Sequence, residues 1–231
     1  MSGHRWLVSA RLGRRPATPA TRRRGRRMTP QALLESADAL LVDLDGTLVD
    51  STGPVRRAWE DFAARHRLDA AYVHHFAQGR PSRDSVRLLV PGTDTAAEAD
   101  ALERAELSDA EDITALPGAG ALLHGHRRLA IVTSCSTALA ILRLQAAELP
   151  VPPVLVSSDD VERGKPDPTC YRLGAERLGT DPRRCLVLED APAGIAAGRG
   201  AGARVLALRT THSDHDLREA DAIVDDLGGI V

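Results

Sequence analysis

The chain has 231 residues, 43% of them apolar, with a formal net charge of -2. That length holds one good-sized α/β domain with a small insertion, and no apolar run approaches the roughly 18 residues that a membrane-spanning helix requires. Residues 1–27 carry nine arginines and no acid, which leaves 21 bases against 32 acids in the rest; an acidic body with 3% aromatic residues excludes a phosphate-tracking groove with base-stacking rings.

The Arg-rich opening, 1–27, reads as an extension outside the fold. A transit peptide and a basic tail for nucleic acid are weighed against an upstream start, the natural protein then beginning at Met28. The last is preferred, because ordinary periodic sequence begins at once with TPQALLESADALLVDLD. A secretory signal is not expected, since no continuous apolar stretch of about seven or more residues follows the basic start.

Short Val/Leu/Ile runs predict buried strands at Ala39–Leu44, Leu129–Thr133, Val154–Ser157, Cys185–Glu189 and Arg204–Leu208. Helical patterns at Thr137–Glu148, Pro168–Leu178 and Pro192–Gly200 follow the second, third and fourth. This alternation predicts an α/β fold with a doubly wound, Rossmann-like parallel sheet. About eighty-five residues separate the first two strands, far beyond an ordinary crossover. The amphipathic stretch between them, such as PVRRAWEDFAARHRL, reads as an inserted helical cap over 53–113. The core then comprises 28–52 and 114–231, with Pro117-Gly118 marking re-entry. Cys135, Cys170 and Cys185 lack C-x-x-C spacing and fit reduced thiols of a cytoplasmic protein.

In open α/β sheets, ligands bind beyond the carboxyl ends of the strands, and polar residues collect there. Strand one ends in Asp43-Leu44-Asp45-Gly46-Thr47, strand two in Thr133-Ser134, and strand four in Glu189-Asp190. The loop after strand three carries Gly164-Lys165-Pro166-Asp167-Pro168, with the only lysine of the chain. Each has a bland reading: a turn or calcium-loop fragment at Asp43, a helix cap at Thr133-Ser134, acids opening a helix at Glu189-Asp190. An EF-hand needs glycine at its sixth position between two helices, whereas Gly46 sits fourth, after a strand. Cys135 has no nearby histidine to act as its base and reads as a loop filler. Joint occurrence at four strand ends calls for a shared ligand. An oxygen-only carboxylate set selects Mg2+, and a phosphate approaching it needs the metal, a point positive charge and hydrogen-bond donors.

Taken in order, DLDGTLVDS, IVTSCS, GKPDP and VLEDAPAGIAAG resemble the four motifs of the haloacid-dehalogenase superfamily, from about Ala37 onward. The resemblance implies an aspartyl-phosphate on Asp43, the nucleophile and a metal ligand, as in other carboxylate nucleophiles. It makes Asp45 the general acid and base, its carbonyl also on the metal. It gives Ser134, with Thr133 as runner-up, to the phosphate, and Lys165 to charge neutralisation. It assigns Asp190 to Mg2+ directly and Glu189 through a water. The insertion resembles the small cap that closes over substrate. Family dehalogenases lack the second acid, present here as Asp45, and phosphonoacetaldehyde hydrolases need a cap lysine, absent here. A phosphatase of small sugar or polyol phosphates is therefore expected, acting as a cytoplasmic monomer on a small-molecule ester, with no nucleic-acid or membrane partner. A sugar-phosphate mutase of the β-phosphoglucomutase type is the alternative, and a silent regulatory protein is disfavoured by the complete motif set. The cap segment Gln78–Arg87 offers Arg80 as the substrate contact, ahead of His75 and Arg83.

Overall fold

The computed structural model describes residues 28–77, 80–125 and 128–231; the Arg-rich extension and Gln78 lie outside them. Thr29 caps a short helix α1 (Pro30–Glu35), its hydroxyl accepting from Ala32 N at 3.2 Å. Strand β1 (Ala39–Val42) follows, then β2 (Val49–Asp50) and four helices, α2 (Thr52–His66), α3 (Ala70–Ala77), α4 (Ser82–Leu89) and α5 (Thr95–Leu107). The chain returns through β3 (Thr114–Ala115) and α6 (Ala119–His124) to β4 (Leu129–Val132), α7 (Thr137–Ala146) and β5 (Leu155–Val156). It ends with α8 (Thr169–Arg177), β6 (Cys185–Glu189), α9 (Pro192–Ala201), β7 (Arg204–Leu208) and β8 (Ala222–Val224).

Six of these strands form one parallel sheet in the order β5-β4-β1-β6-β7-β8, the doubly wound architecture that the alternating pattern predicts. The chain runs from β1 outward to β5, then crosses back through α8 to β6 on the other flank of β1. The carboxyl end of β1 therefore lies at the switch point, where a crevice opens. Strand residues alternate between two cores. Leu40, Val42, Leu186 and Leu188 pack on the side of Leu122 and Leu144, while Leu41 and Val187 pack with Tyr171 and Ile195. This two-sided burial makes the strands continuous apolar runs.

The first strand stops at Val42, not Leu44 as expected, because the backbone turns there. Asp43 N still bonds to Leu188 O at 3.0 Å, but beyond it Gly46 N bonds back to Val49 O and Leu48 N to Leu44 O, both at 2.8 Å, so the chain leaves the ladder with Leu44 in the core and Asp43 and Asp45 at the crevice. β8 is a strand that the sequence does not announce: three half-buried residues at the sheet edge are too short an apolar run.

Between β1 and β4, helices α2–α5 pack around their own cluster of Trp59, Phe62, Val73, Val86 and Leu102. The antiparallel pairing of β2 with β3, Val49 opposite Ala115, joins the two chain segments at the base of this insertion. Asp94 caps α5, accepting from Ala96 N and Ala97 N at 3.1 Å. Among the described residues, no helix is long and apolar enough to cross a membrane.

Candidate active site

The carboxyl ends of β1, β4 and β6 and the loop after β5 meet at one place. Asp43 (6% exposed), Lys165 (2%), Glu189 (1%) and Asp190 (4%) are buried there together. Lys165 Nζ donates to Asp43 Oδ1 at 2.5 Å and to Glu189 Oε1 at 2.7 Å. Tyr171 OH adds a bond to the same Glu189 oxygen at 3.1 Å, and Oε2 accepts from Asp190 N and Ala191 N, both at 2.8 Å. Glu189 thus has both oxygens committed to protein donors. It anchors the ammonium and the turn into α9. Thr211 donates to Asp190 Oδ2, and Thr210 to the carbonyl of Gly46.

Gly46 is a position where only glycine serves. Its φ is +79°, and a Cβ there would stand 2.2 Å from Asp190 Oδ2. The DxDG turn is consequently packed directly under the Asp190 carboxylate.

Three buried acids share one ammonium. Burial pushes the Asp43 carboxyl up to about 7, against the pull of Lys165 and helped by Glu189 and Asp45. Burial, then Glu189 and Asp43, hold Asp190 well above the ordinary carboxylate range. Asp43, Glu189 and Asp190 each present a carboxylate oxygen within 4.8 Å of the others. Such a hard, oxygen-only set with excess negative charge fits a divalent cation of the Mg2+ kind.

Over this floor lies a cavity of about 460 Å³ between the sheet edge and the insertion. Ser134 and Thr133 both line it. Thr133 Oγ1 accepts from Cys135 N at 3.2 Å and so closes the turn after β4. The Cys135 thiol is pushed up to about 12, chiefly by burial, which removes it as a thiolate nucleophile at neutral pH. Among the cap candidates, Arg80 and Arg83 line the cavity, and the Arg80 guanidinium lies 4.5 Å from the Phe76 ring centroid. His75 is not among the lining residues; it is exposed and stands 6.3 Å from His212, while its neighbour His74 lines the cavity. One step along a helix turns a side chain by about 100°, which separates the two histidines.

Arg143 on α7 is a site residue that the motif reading passes over. Its Nη1 donates to Asp45 Oδ2 at 2.6 Å and its Nη2 to Glu106 on α5. Ser51 Oγ holds the other Asp45 oxygen at 2.6 Å. The available signal is a lone charge in the otherwise uncharged run TALAILRLQA. Glu106 carries a weaker one, since it belongs to a helix with several acids.

A doubly wound sheet, a helical insertion above its carboxyl edge and a buried carboxylate cluster define a two-part α/β protein with an acidic, cation-binding type of centre in the crevice between them. A sequence model of haloacid dehalogenase-like hydrolases matches residues 37–202, and the chain belongs to that family. Hexitol phosphatase A of Escherichia coli (strain K12) is 44% identical over 194 residues, covering 81% of this chain and 90% of the relative. Validoxylamine A 7'-phosphate phosphatase of Streptomyces hygroscopicus subsp. limoneus is 36% identical, covering 81% and 92%. A hydrolase from Pseudomonas syringae superposes with a TM-score of 0.76 at 28% identity, covering 83% of this chain and 94% of that one. Within its family the chain is a phosphatase, as these curated relatives are.

Proposed function

We propose that this chain is a Mg2+-dependent phosphatase of small sugar or polyol monophosphates that works through an aspartyl-phosphate on Asp43. The observation that carries the reading is the Lys165 ammonium bonded to Asp43 Oδ1 at 2.5 Å, with Asp190 beside it, at the floor of the cavity. Asp43 and Asp190, with the Asp45 carbonyl, would hold the metal, and Glu189, whose two oxygens already accept from protein donors, would act on it through a water. When bound, Mg2+ would supply Lewis-acid neutralisation of the phosphoryl oxygens and of the approaching carboxylate.

Lys165 adds a compact positive charge at the same oxygens, and Ser134 donates to the phosphate, with Thr133 beside it in the cavity wall. Asp43 attacks phosphorus, the bond from phosphorus to the ester oxygen breaks, and Asp45 gives its proton to the departing alkoxide. Water then attacks the phosphorus, and Asp45 takes back a proton. The bond from phosphorus to Asp43 breaks, phosphate leaves, and both carboxyl groups return to their starting states.

The cavity supports a neutral polyhydroxyl tail. On the insertion its wall carries the acids Asp84, Asp100 and Glu103, and Glu106 paired with Arg143, against Arg80 and Arg83. Carboxylates accept hydrogen bonds from hydroxyls and repel a second phosphate. This disfavours the bisphosphate that a mutase must retain. About 460 Å³ also suits a six-carbon phosphate. The names of the curated relatives, hexitol phosphatase among them, support the same class. A cytoplasmic setting agrees with three unpaired cysteines.

The test is phosphate release from hexitol, glycerol and hexose phosphates, with Mg2+ and with EDTA. Metal-dependent release from polyol or sugar esters is expected. Conversion of β-glucose-1-phosphate to the 6-phosphate without release would replace the phosphatase by a mutase.

A further inference from the structure

Arg143 is 3% exposed, deep in the molecule, and belongs to the core helix α7. Its guanidinium joins two carboxylates from different parts of the fold: Asp45, on the turn after β1, and Glu106, on α5 of the insertion. Glu106 is 4% exposed, and Arg143 is the partner that compensates its charge. Ser136, one residue before α7, donates to Glu103 on the same face of α5, so two polar bridges tie these helices together. The first of them continues into the catalytic turn. Asp45 is therefore held by one bond from the core side, Arg143, and one from Ser51 at the start of α2, where the insertion begins.

A buried fork of this kind fixes direction. The guanidinium is planar and its nitrogens diverge in set directions, so the position of one carboxylate constrains the other. If Glu106 moves away with the insertion, Arg143 loses one of its two anchors and gains freedom to turn. An Asp45 oxygen moves with it.

We propose that Arg143 is a positioning residue that links seating of the helical cap, through Glu106, to the orientation of the Asp45 carboxyl. The proposal rests on the phosphatase reading, because it gives Asp45 the proton transfers. Arg143 touches neither phosphate nor metal in this role, and it works only through Asp45.

The consequence separates two kinds of ester. An alkyl phosphate such as a hexitol phosphate expels a poor leaving group and needs the Asp45 proton. p-Nitrophenyl phosphate expels a stable phenolate and needs no such proton to phosphorylate Asp43. The experiment compares wild type, Glu106→Gln, Arg143→Gln and the double variant Arg143→Met/Glu106→Leu. The double variant removes both charges together and guards against a buried orphan. Steady-state turnover is measured on a hexitol phosphate, and the pre-steady-state burst of p-nitrophenolate reads phosphorylation alone. Loss of positioned acid–base help is expected to lower hexitol phosphate kcat roughly 10²-fold in both Arg143 variants, with KM nearly constant. The burst is expected to hold within about threefold of wild type. Glu106→Gln is expected to show the same pattern with a smaller loss, on the order of tenfold. A burst that falls in parallel with kcat, or a rise in KM as the main effect, gives Arg143 a merely structural role and overturns the proposal. Unchanged turnover in the double variant overturns it as well. A wild type silent toward both esters removes the phosphatase reading itself, and the proposal with it.

Discussion

Removing the ammonium of Lys165 tests the centre most directly. The side chain makes ion pairs at 2.5 Å to Asp43 and 2.7 Å to Glu189, and only 2% of the residue is exposed. Lys165→Met leaves three buried carboxylates facing one another with no cation of the protein between them. Taking one partner from a buried pair costs about 3–5 kcal/mol. In a chain of this size each kcal/mol lowers Tm by roughly 2–4 °C, so the variant is expected to melt on the order of 10 °C below wild type in EDTA. Mg2+ binds the folded carboxylate set and not the unfolded chain, so millimolar Mg2+ should return part of that loss. The wild type, with its ammonium in place, should gain less. Scanning calorimetry with and without Mg2+ measures both differences. Lys165→Arg asks the chemical question. A planar guanidinium is too large for a place bounded by Asp43, Glu189 and the Tyr171 ring, whose centroid lies 5.1 Å from Nζ. Turnover is expected to fall about 10²-fold or more, the usual scale for losing a preorganised charge. Near-normal activity in Lys165→Arg, or a Lys165→Met protein that melts with wild type in EDTA, would falsify the account of this centre.

Four further substitutions have definite expected outcomes. Asp43→Asn should abolish turnover and phosphoenzyme trapping without lowering Tm, because it removes a buried charge whose carboxyl is already pushed up to about 7. Gly46→Ala places a methyl group 2.2 Å from Asp190 Oδ2 at a φ of +79°; a loss of activity of roughly 10²-fold or more is expected, with the circular dichroism spectrum unchanged, and a fully active variant would refute the packed turn. Gly164→Ala sets a Cβ 2.1 Å from Pro81 Cγ, across the gap between core and insertion. It should raise KM for a polyol phosphate about tenfold by holding the cap off its seat, and an unchanged KM would mean that this contact plays no part in closure. Cys135→Ser should keep activity within about threefold of wild type, and iodoacetamide should modify Cys135 at pH 8 far more slowly than a free thiol, since burial pushes its thiol up to about 12 and leaves almost none of it as thiolate at that pH.

How much of this was legible in the sequence depended on whether a feature repeats locally. Parallel strands buried on both faces are apolar runs, so β1, β4, β6 and β7 announce themselves, and their carboxyl ends locate the crevice. The Asp43, Lys165 and Glu189-Asp190 segments stand at those ends and are adjacent to recognisable strands, which is why four distant pieces of chain can be assigned to one place. β8 offers three half-buried residues and no such run. Side-chain partners across the fold are a different matter. The Tyr171 hydroxyl on Glu189, the Thr211 hydroxyl on Asp190 and the bridge from Arg143 to Glu106 join residues 18, 21 and 37 positions apart. Nothing in local pattern encodes which face of α8 or α7 meets the catalytic turn. Arg143 comes nearest to being readable. A single charge in a ten-residue helix of Thr, Ala, Leu, Ile and Gln stands out, and because it lies on the buried face and not beside the exposed Ala138 and Gln145, it demands a carboxylate. The sequence marks the residue without showing that it is buried or which carboxylates meet it. Only the seating of α5 against α7 supplies two, one on each side of the gap between cap and core, and so turns a buried arginine into a link between closure and the catalytic turn.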